Sequence, residues 1–183
     1  MILLVDLCYQ EDSLSAYEFV RPIADALARA GAGVECRHYT RVTPESASEC
    51  EGVVLCGTAL KDNGYAEHIE LFSWLQDPGV PALGICAGMQ VMASLFGGRI
   101  IPHPAIGLED ISVVEDSSLL GPPRQIQGYH LHNYGVTLPP GFRLLAGTAE
   151  AVEAFRHPDR PLYGILFHPE VRNRWVLERF LDL

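Results

Sequence analysis

The chain has 183 residues, 48% of them apolar and 20% charged, with 13 Lys and Arg set against 23 Asp and Glu for a net charge of −10. That length suffices for one domain with its own core and no covalent staples. The acidic balance excludes nucleic acid as the main partner, since phosphates must be neutralised by Lys and Arg, and no stretch approaches the ~20 apolar residues of a membrane span.

Residues 2–7 form the first apolar run and are predicted to be a buried strand. Leu14, Tyr17, Val20, Ala24 and Leu27 then recur at three- and four-residue intervals, predicting an amphipathic helix that ends near Gly31, with Pro22 kinking it or marking its first turn. Residues 34–39 and 52–56 are predicted as the second and third strands. A loop over 57–64 precedes a helix running through Trp74 and Leu75. Residues 81–85 are a further short strand, and the helix predicted over 87–96 is stopped by Gly97-Gly98 where a C-cap glycine belongs. From 99 to about 155 the pattern becomes short alternating stretches broken by Pro and Gly, expected to be antiparallel strands added to the flank of the sheet. Residues 162–167 are expected to be the last core strand and 171–183 a closing helix. The whole chain, 1–183, is expected to be one doubly wound α/β domain in three layers, flavodoxin-like, with a mostly parallel central sheet. In such folds ligands sit at the carboxyl ends of the strands.

Five cysteines, Cys8, Cys36, Cys50, Cys56 and Cys86, show no CxxC pair and no zinc-like spacing. The N-terminus has no basic leader and too short an apolar run for a signal peptide. These features predict a cytoplasmic protein whose thiols are free and mostly packed as small hydrophobes. No metal site and no cofactor is expected.

Cys86 is the exception. Gly84-Ile85-Cys86-Ala87-Gly88-Met89-Gln90 places a nucleophile between a strand and a helix in the pattern G-x-C-x-G. A turn tight enough to push one side chain outward leaves no room for a Cβ two residues to either side. The helix N-terminus beside the sulfur stabilises a thiolate, and the Ala87 N–H is placed as one oxyanion donor. A thiol nucleophile needs a base, and the base an orienting group. Gly164-Ile165-Leu166-Phe167-His168-Pro169-Glu170 supplies both: His168 at the end of the last core strand and Glu170 to fix its tautomer. Imidazole beside a thiol favours the thiolate–imidazolium pair.

This elbow, followed far downstream by Phe167-His168-Pro169-Glu170, resembles the signature of the class I (triad) glutamine amidotransferases. The likeness runs through the opening strand, the Cys56-Gly57 loop, the elbow, Gly97-Gly98 and the terminal His/Glu segment with its helix. The resemblance implies that Cys86 attacks the side-chain amide of L-glutamine to give a γ-glutamyl thioester. His168 then protonates the departing ammonia and activates water, while Glu170 positions His168. It further implies that Gln90, one turn along the helix, helps to hold the amino-acid end of the substrate, and that the backbone near His132 contacts it. The family's second oxyanion donor comes from a Gly-Gly-Pro loop. Here the residues are Gly57-Thr58-Ala59, a departure that puts a Cβ at Thr58 where it is expected to crowd the loop. Leu166 is a second departure, at a position where the family more often has Gln.

His130 and His132 share one face of an extended segment but lack a third spaced metal ligand. His38, His68, His103 and His157 have no partner pattern and are predicted to be surface or loop residues. No Walker-type phosphate loop is present, and only a short helix is expected after Glu170. The resemblance therefore implies a glutaminase that passes ammonia to a synthase on a separate polypeptide. In length, opening strand and Phe-His-Pro-Glu-Val ending it is similar to the free-standing glutaminase subunit of GMP synthetase. Two alternatives remain open at this point: a γ-glutamyl hydrolase or peptidase acting without a synthase, and a non-catalytic regulatory homologue.

Overall fold

Strand β1 (Ile2–Asp6) is buried at all five positions because its alternate side chains enter two different cores. In the computed structural model, which describes residues 1–183, Ile2 and Leu4 join a cluster completed by Ile23, Leu27, Val176 and Phe180. Leu3 and Val5 join a second one with Phe72, Leu75, Met89 and Met92. Strand β2 is Val34–His38 and β3 is Gly52–Leu55; in β3, Val54 faces the first cluster and Val53 and Leu55 the second. A strand covered on both sides needs a continuous apolar run rather than alternation, and β1 and β3 have one, whereas β2 at the sheet edge is only partly buried and carries Glu35 and Arg37.

The remaining strands are β4 (Ala82–Ile85), β5 (Ile100–Val113), β6 (Arg124–Val136), β7 (Arg143–Gly147), β8 (Val152–Arg156) and β9 (Leu162–Ile165). They form one nine-stranded sheet in the order β2-β1-β3-β4-β9-β8-β7-β5-β6. Strands β2, β1, β3, β4 and β9 are parallel, and β8, β7, β5 and β6 continue it antiparallel. Helices α1 (Ala16–Phe19), α2 (Arg21–Arg29) and α5 (Trp175–Phe180) feed the first core, and α4 (Ala87–Leu95) the second, to which α3 (Pro44–Ser48) adds Ala47. The architecture is thus the expected three-layer α/β domain, and no helix is long and apolar enough to cross a membrane.

Several elements differ from expectation, each for a local reason. The first predicted helix divides in two, and Pro22 sits in the first turn of α2, where its missing N–H is harmless. Leu14 and Tyr17 consequently lie off the core face, 83% and 61% exposed. The helix expected through Trp74 is a 3₁₀ segment, Ile69–Gln76; its three-residue period sets Phe72 and Leu75 on one side, and both are buried. The expected short antiparallel strands are instead two long ones, of 14 and 13 residues. Pro102 and Pro104 look like breakers in the sequence, but the β5–β6 register shifts between Pro102 and Ala105, and a bulge tolerates proline. The closing helix starts only at Trp175. Before it, the Asn173 side chain donates to the Gln127 carbonyl at 2.7 Å and accepts from Trp175 Nε1 at 3.2 Å, local bonds that compete with helix. Gly97 has φ +84°; its N–H donates to the Ser94 carbonyl and that of Gly98 to the Ala93 carbonyl at 2.8 Å, closing α4 with a Schellman motif.

Candidate active site

Cys86 stands between β4 and α4 with φ +51° and ψ −104°. Such a backbone costs a residue with a Cβ on the order of 1–3 kcal/mol, and is kept where the surroundings impose it. Here they do. A Cβ at Gly84 would lie 2.5 Å from the Gly88 carbonyl oxygen, and one at Gly88 would fall on the Leu55 carbonyl of β3. The Cys86 N–H donates to the Ile165 carbonyl at 2.9 Å, fixing the elbow to β9. The sulfur lies 3.8 Å from the Leu131 carbonyl oxygen.

Strand β9 is the parallel neighbour of β4, with Ile85 opposite Ile165, so Cys86 and His168 leave the same edge of adjacent strands. The His168 N–H is held by the Tyr129 carbonyl at 2.8 Å, and its ring Nδ1 is 2.8 Å from Glu170 Oε1. Both side chains are buried, at 2% and 4% exposure. Nε2, the nitrogen left for the sulfur, makes no hydrogen bond of normal geometry, as is common for catalytic pairs without substrate. Burial pushes the imidazole down. The charge of the neighbouring Cys86 and then the Glu170 carboxylate outweigh burial and hold the His168 pKa well above 6.5. A raised folded value means that the protonated ring stabilises the fold in full below the unfolded value of ~6.5. That contribution is lost as pH rises through the folded value. Cys86→Ala, which removes the leading favourable partner, is expected to lower the His168 titration midpoint when followed by imidazole NMR; an unchanged midpoint would mean that Glu170 alone sets it.

Gly57 is where the loop after β3 meets this pair. A Cβ there would lie 2.8 Å from His168 Cε1 and 3.6 Å from Cys86 Cβ, so the loop, the thiol and the ring converge around one point. Gly57→Ala is expected to displace the imidazole and lower kcat by about 10²-fold while thermal unfolding stays within a few degrees, since a misplacement of 1 Å can cost that much. Equal kcat would show the ring free to step aside.

Thr58 is 4% exposed and donates through Oγ1 to Asp62 Oδ2 at 2.8 Å. That bond ties its side chain into the loop. Ala87 opens α4, where the first N–H groups have no intrahelical acceptor and face outward for a ligand. Gln90 is 3% exposed. Its Oε1 accepts from Tyr65 Oη at 2.6 Å and its Nε2 donates to the Tyr134 carbonyl at 2.9 Å. One N–H and one lone pair of the amide remain. His132 lines the same narrow cavity as Cys86, Thr58 and Gln90. Its Nδ1 is 2.8 Å from the His103 carbonyl oxygen. Burial, and then neighbouring His130, push its pKa down to about 4, so it is a neutral ring with an unpartnered buried Nε2.

His130 Nε2 lies 2.8 Å from Glu153 Oε2, and no group of three or more His, Cys, Asp or Glu is clustered with ligand geometry. Two histidines predicted to be surface or loop residues lie in strands instead, His38 buried and His103 half-buried. His38 is buried, bonded to the Cys8 carbonyl at 2.9 Å and to Thr40 at 2.8 Å, and His103 stacks on His132 with centroids 5.9 Å apart. Sequence reasoning also missed Tyr65, which lies in a stretch with no periodic signal, and the Leu131 and Tyr134 carbonyls, which any residue could supply.

Against known proteins, the family model "Glutamine amidotransferase class-I" matches residues 14–179. The chain is 33% identical over 159 residues to a glutamine-hydrolyzing GMP synthase subunit of Methanothrix thermoacetophila, covering 82% of this chain and 86% of that one. To the protein of the same description from Archaeoglobus fulgidus it is 38% identical over 145 residues, covering 76% and 77%. Among solved structures, a putative GMP synthase subunit from Thermoplasma acidophilum superposes with a TM-score of 0.85 at 27% identity, covering 99% of this chain and 92% of that one. A strained cysteine between strand and helix, a histidine on the neighbouring strand end and a family match over most of the length agree: this chain belongs to the class I glutamine amidotransferase family.

Proposed function

We propose that the chain is the cytoplasmic glutamine-hydrolysing subunit of a two-polypeptide GMP synthase, with Cys86, His168 and Glu170 as its catalytic residues. The observation that carries this reading is the convergence of sulfur, imidazole and carboxylate at the ends of neighbouring strands β4 and β9. The Cys86 thiolate adds to the side-chain carbonyl carbon of L-glutamine. The oxyanion that forms is held by the Ala87 N–H and by an N–H of the Gly57-Thr58 turn. His168 gives its proton to the amide nitrogen, the C–N bond breaks, and ammonia leaves a γ-glutamyl thioester. Water then gives a proton to His168 and adds to the thioester carbonyl; the C–S bond breaks, releasing glutamate and restoring the thiolate. Glu170 accepts from Nδ1 and keeps Nε2 toward the sulfur throughout. Gln90, braced by Tyr65 and the Tyr134 carbonyl, offers its remaining N–H and lone pair to the amino-acid end of the substrate, beside the neutral His132.

A separate ammonia acceptor is supported by the relatives, which are described as subunits and which the chain matches over most of their length. The test mixes the chain with L-glutamine and the synthase partner. Ammonia release is expected to rise at least about tenfold over that of the chain alone, and amination to proceed without added ammonium. Amination that needs free ammonium, with glutaminase rates indifferent to the synthase, would overturn the partnership and leave a free-standing amidohydrolase.

A further inference from the structure

A second cavity, of about 320 Å³, opens at the carboxyl ends of β1 and β2, against α1 and the start of α2. Its lining is separate from that of the Cys86 pocket.

Three features mark it as more than a surface dent. Ser13 lines it, is 2% exposed, and its hydroxyl has no hydrogen-bond partner of normal geometry. The adjacent Cys8 thiol, pushed up to about 12 mainly by burial and then by Asp6, is a weak acceptor. Leaving a hydroxyl dry is unfavourable by about 1–3 kcal/mol unless something fills the role. Asp12, also on the wall, has φ +59°, the only non-glycine residue besides Cys86 with a positive φ. Asp6 adds a carboxylate that is itself only 7% exposed.

The charges select the ligand. Of the three carboxylates on the wall, Glu11 is committed to Arg41 at 3.0 Å, which leaves Asp12 and one oxygen of Asp6, whose Oδ1 accepts from the Cys8 N–H at 2.8 Å. Of the two guanidinium groups, Arg37 is committed to Glu35, which leaves Arg21, stacked over the Tyr17 ring at 5.6 Å rather than ion-paired. Two carboxylates without an ion-pair partner and one guanidinium without one suit an ammonium and a carboxylate on one molecule; a nucleotide's phosphates would meet a net negative wall. Ala16, Val20 and Ala24 provide an apolar strip for the rest of the ligand.

We propose that this cavity is a second binding site, taking a small zwitterion of the α-amino-acid class with its ammonium on Asp6 and Asp12, its carboxylate on Arg21 and a polar atom on Ser13. It is independent of the glutaminase reading, and the test keeps them apart. L-Glutamate is titrated into the full chain while backbone amides are followed by NMR. Saturable shifts are expected at residues 12–24, with affinity weakened at least about tenfold in Arg21→Gln and in Asp12→Asn, each of which removes a charge-assisted bond. Asparagine tolerates the left-handed backbone at position 12. Shifts at Gly57, Ala87 and Gln90 report the other pocket on their own scale. Absence of saturable shifts at 12–24 up to about 10 mM, equal affinity in both variants, or shifts there with GMP but not with L-glutamate would each overturn the proposal.

Discussion

Cys86→Ala is expected to lower glutamine hydrolysis, measured as ammonia release in the presence of the synthase, by on the order of 10⁴ or more, with the fold unchanged. Removing the nucleophile of a triad leaves only binding and the oxyanion donors. His168→Asn should cost a comparable factor, and the double variant little more than either single one, because the two side chains act on one proton as a unit. Alanine suffers the same positive-φ strain as cysteine at position 86, so loss of activity cannot be ascribed to new backbone strain. Activity within tenfold of the parent would show that the sulfur is not the attacking atom.

Gly88→Ala is expected to destabilise the fold by about 3–5 kcal/mol, a depression of Tm on the order of 10 °C for a chain this size. Its Cβ would be driven onto the carbonyl of Leu55 in the fully buried β3, and neither α4 nor β3 can yield because each is packed into the second core. Gly31→Ala is the control. Its φ is +94° but no atom lies within 4 Å of the added Cβ, so only the left-handed penalty of about 1–2 kcal/mol applies. A Gly88 variant no less stable than the Gly31 variant would mean that the elbow is looser than its geometry indicates.

The elbow was legible in the sequence because a tight strand-to-helix turn restricts residue type at three positions, Gly84, Cys86 and Gly88, within five residues. His168 was legible by position, at the end of an apolar run. Its meeting with Cys86 depends on β9 lying beside β4, which the α/β pattern suggested without dictating. Of the five parallel strands, β1, β3, β4 and β9 were readable because burial on both faces leaves apolar runs, whereas β2 is the half-buried edge strand Val-Glu-Cys-Arg-His. The β5–β6 hairpin was not: Pro102 and Pro104 punctuate it locally, and only the bulge reconciles them with a long strand. The parts of the site made of backbone, such as the carbonyls of Leu131, Tyr134 and His103, have no residue signature. Tyr65 and Asp62 act on Gln90 and Thr58 across gaps that only tertiary structure closes. The bond from the Thr58 hydroxyl to Asp62 likewise has no signature in the sequence.

The central claim is that a buried sulfur, and not an accessible one, is the nucleophile because His168 and Glu170 stand beside it. Intact-mass and peptide mapping after treatment with a diazo-ketone analogue of glutamine tests this directly, since Cys86 is 3% exposed whereas Cys36 is the one exposed thiol. The predicted result is a single adduct on Cys86, absent in Cys86→Ala and slowed at least about tenfold in His168→Asn. An adduct on Cys36 in preference, or a Cys86 adduct forming at the same rate without His168, would contradict it.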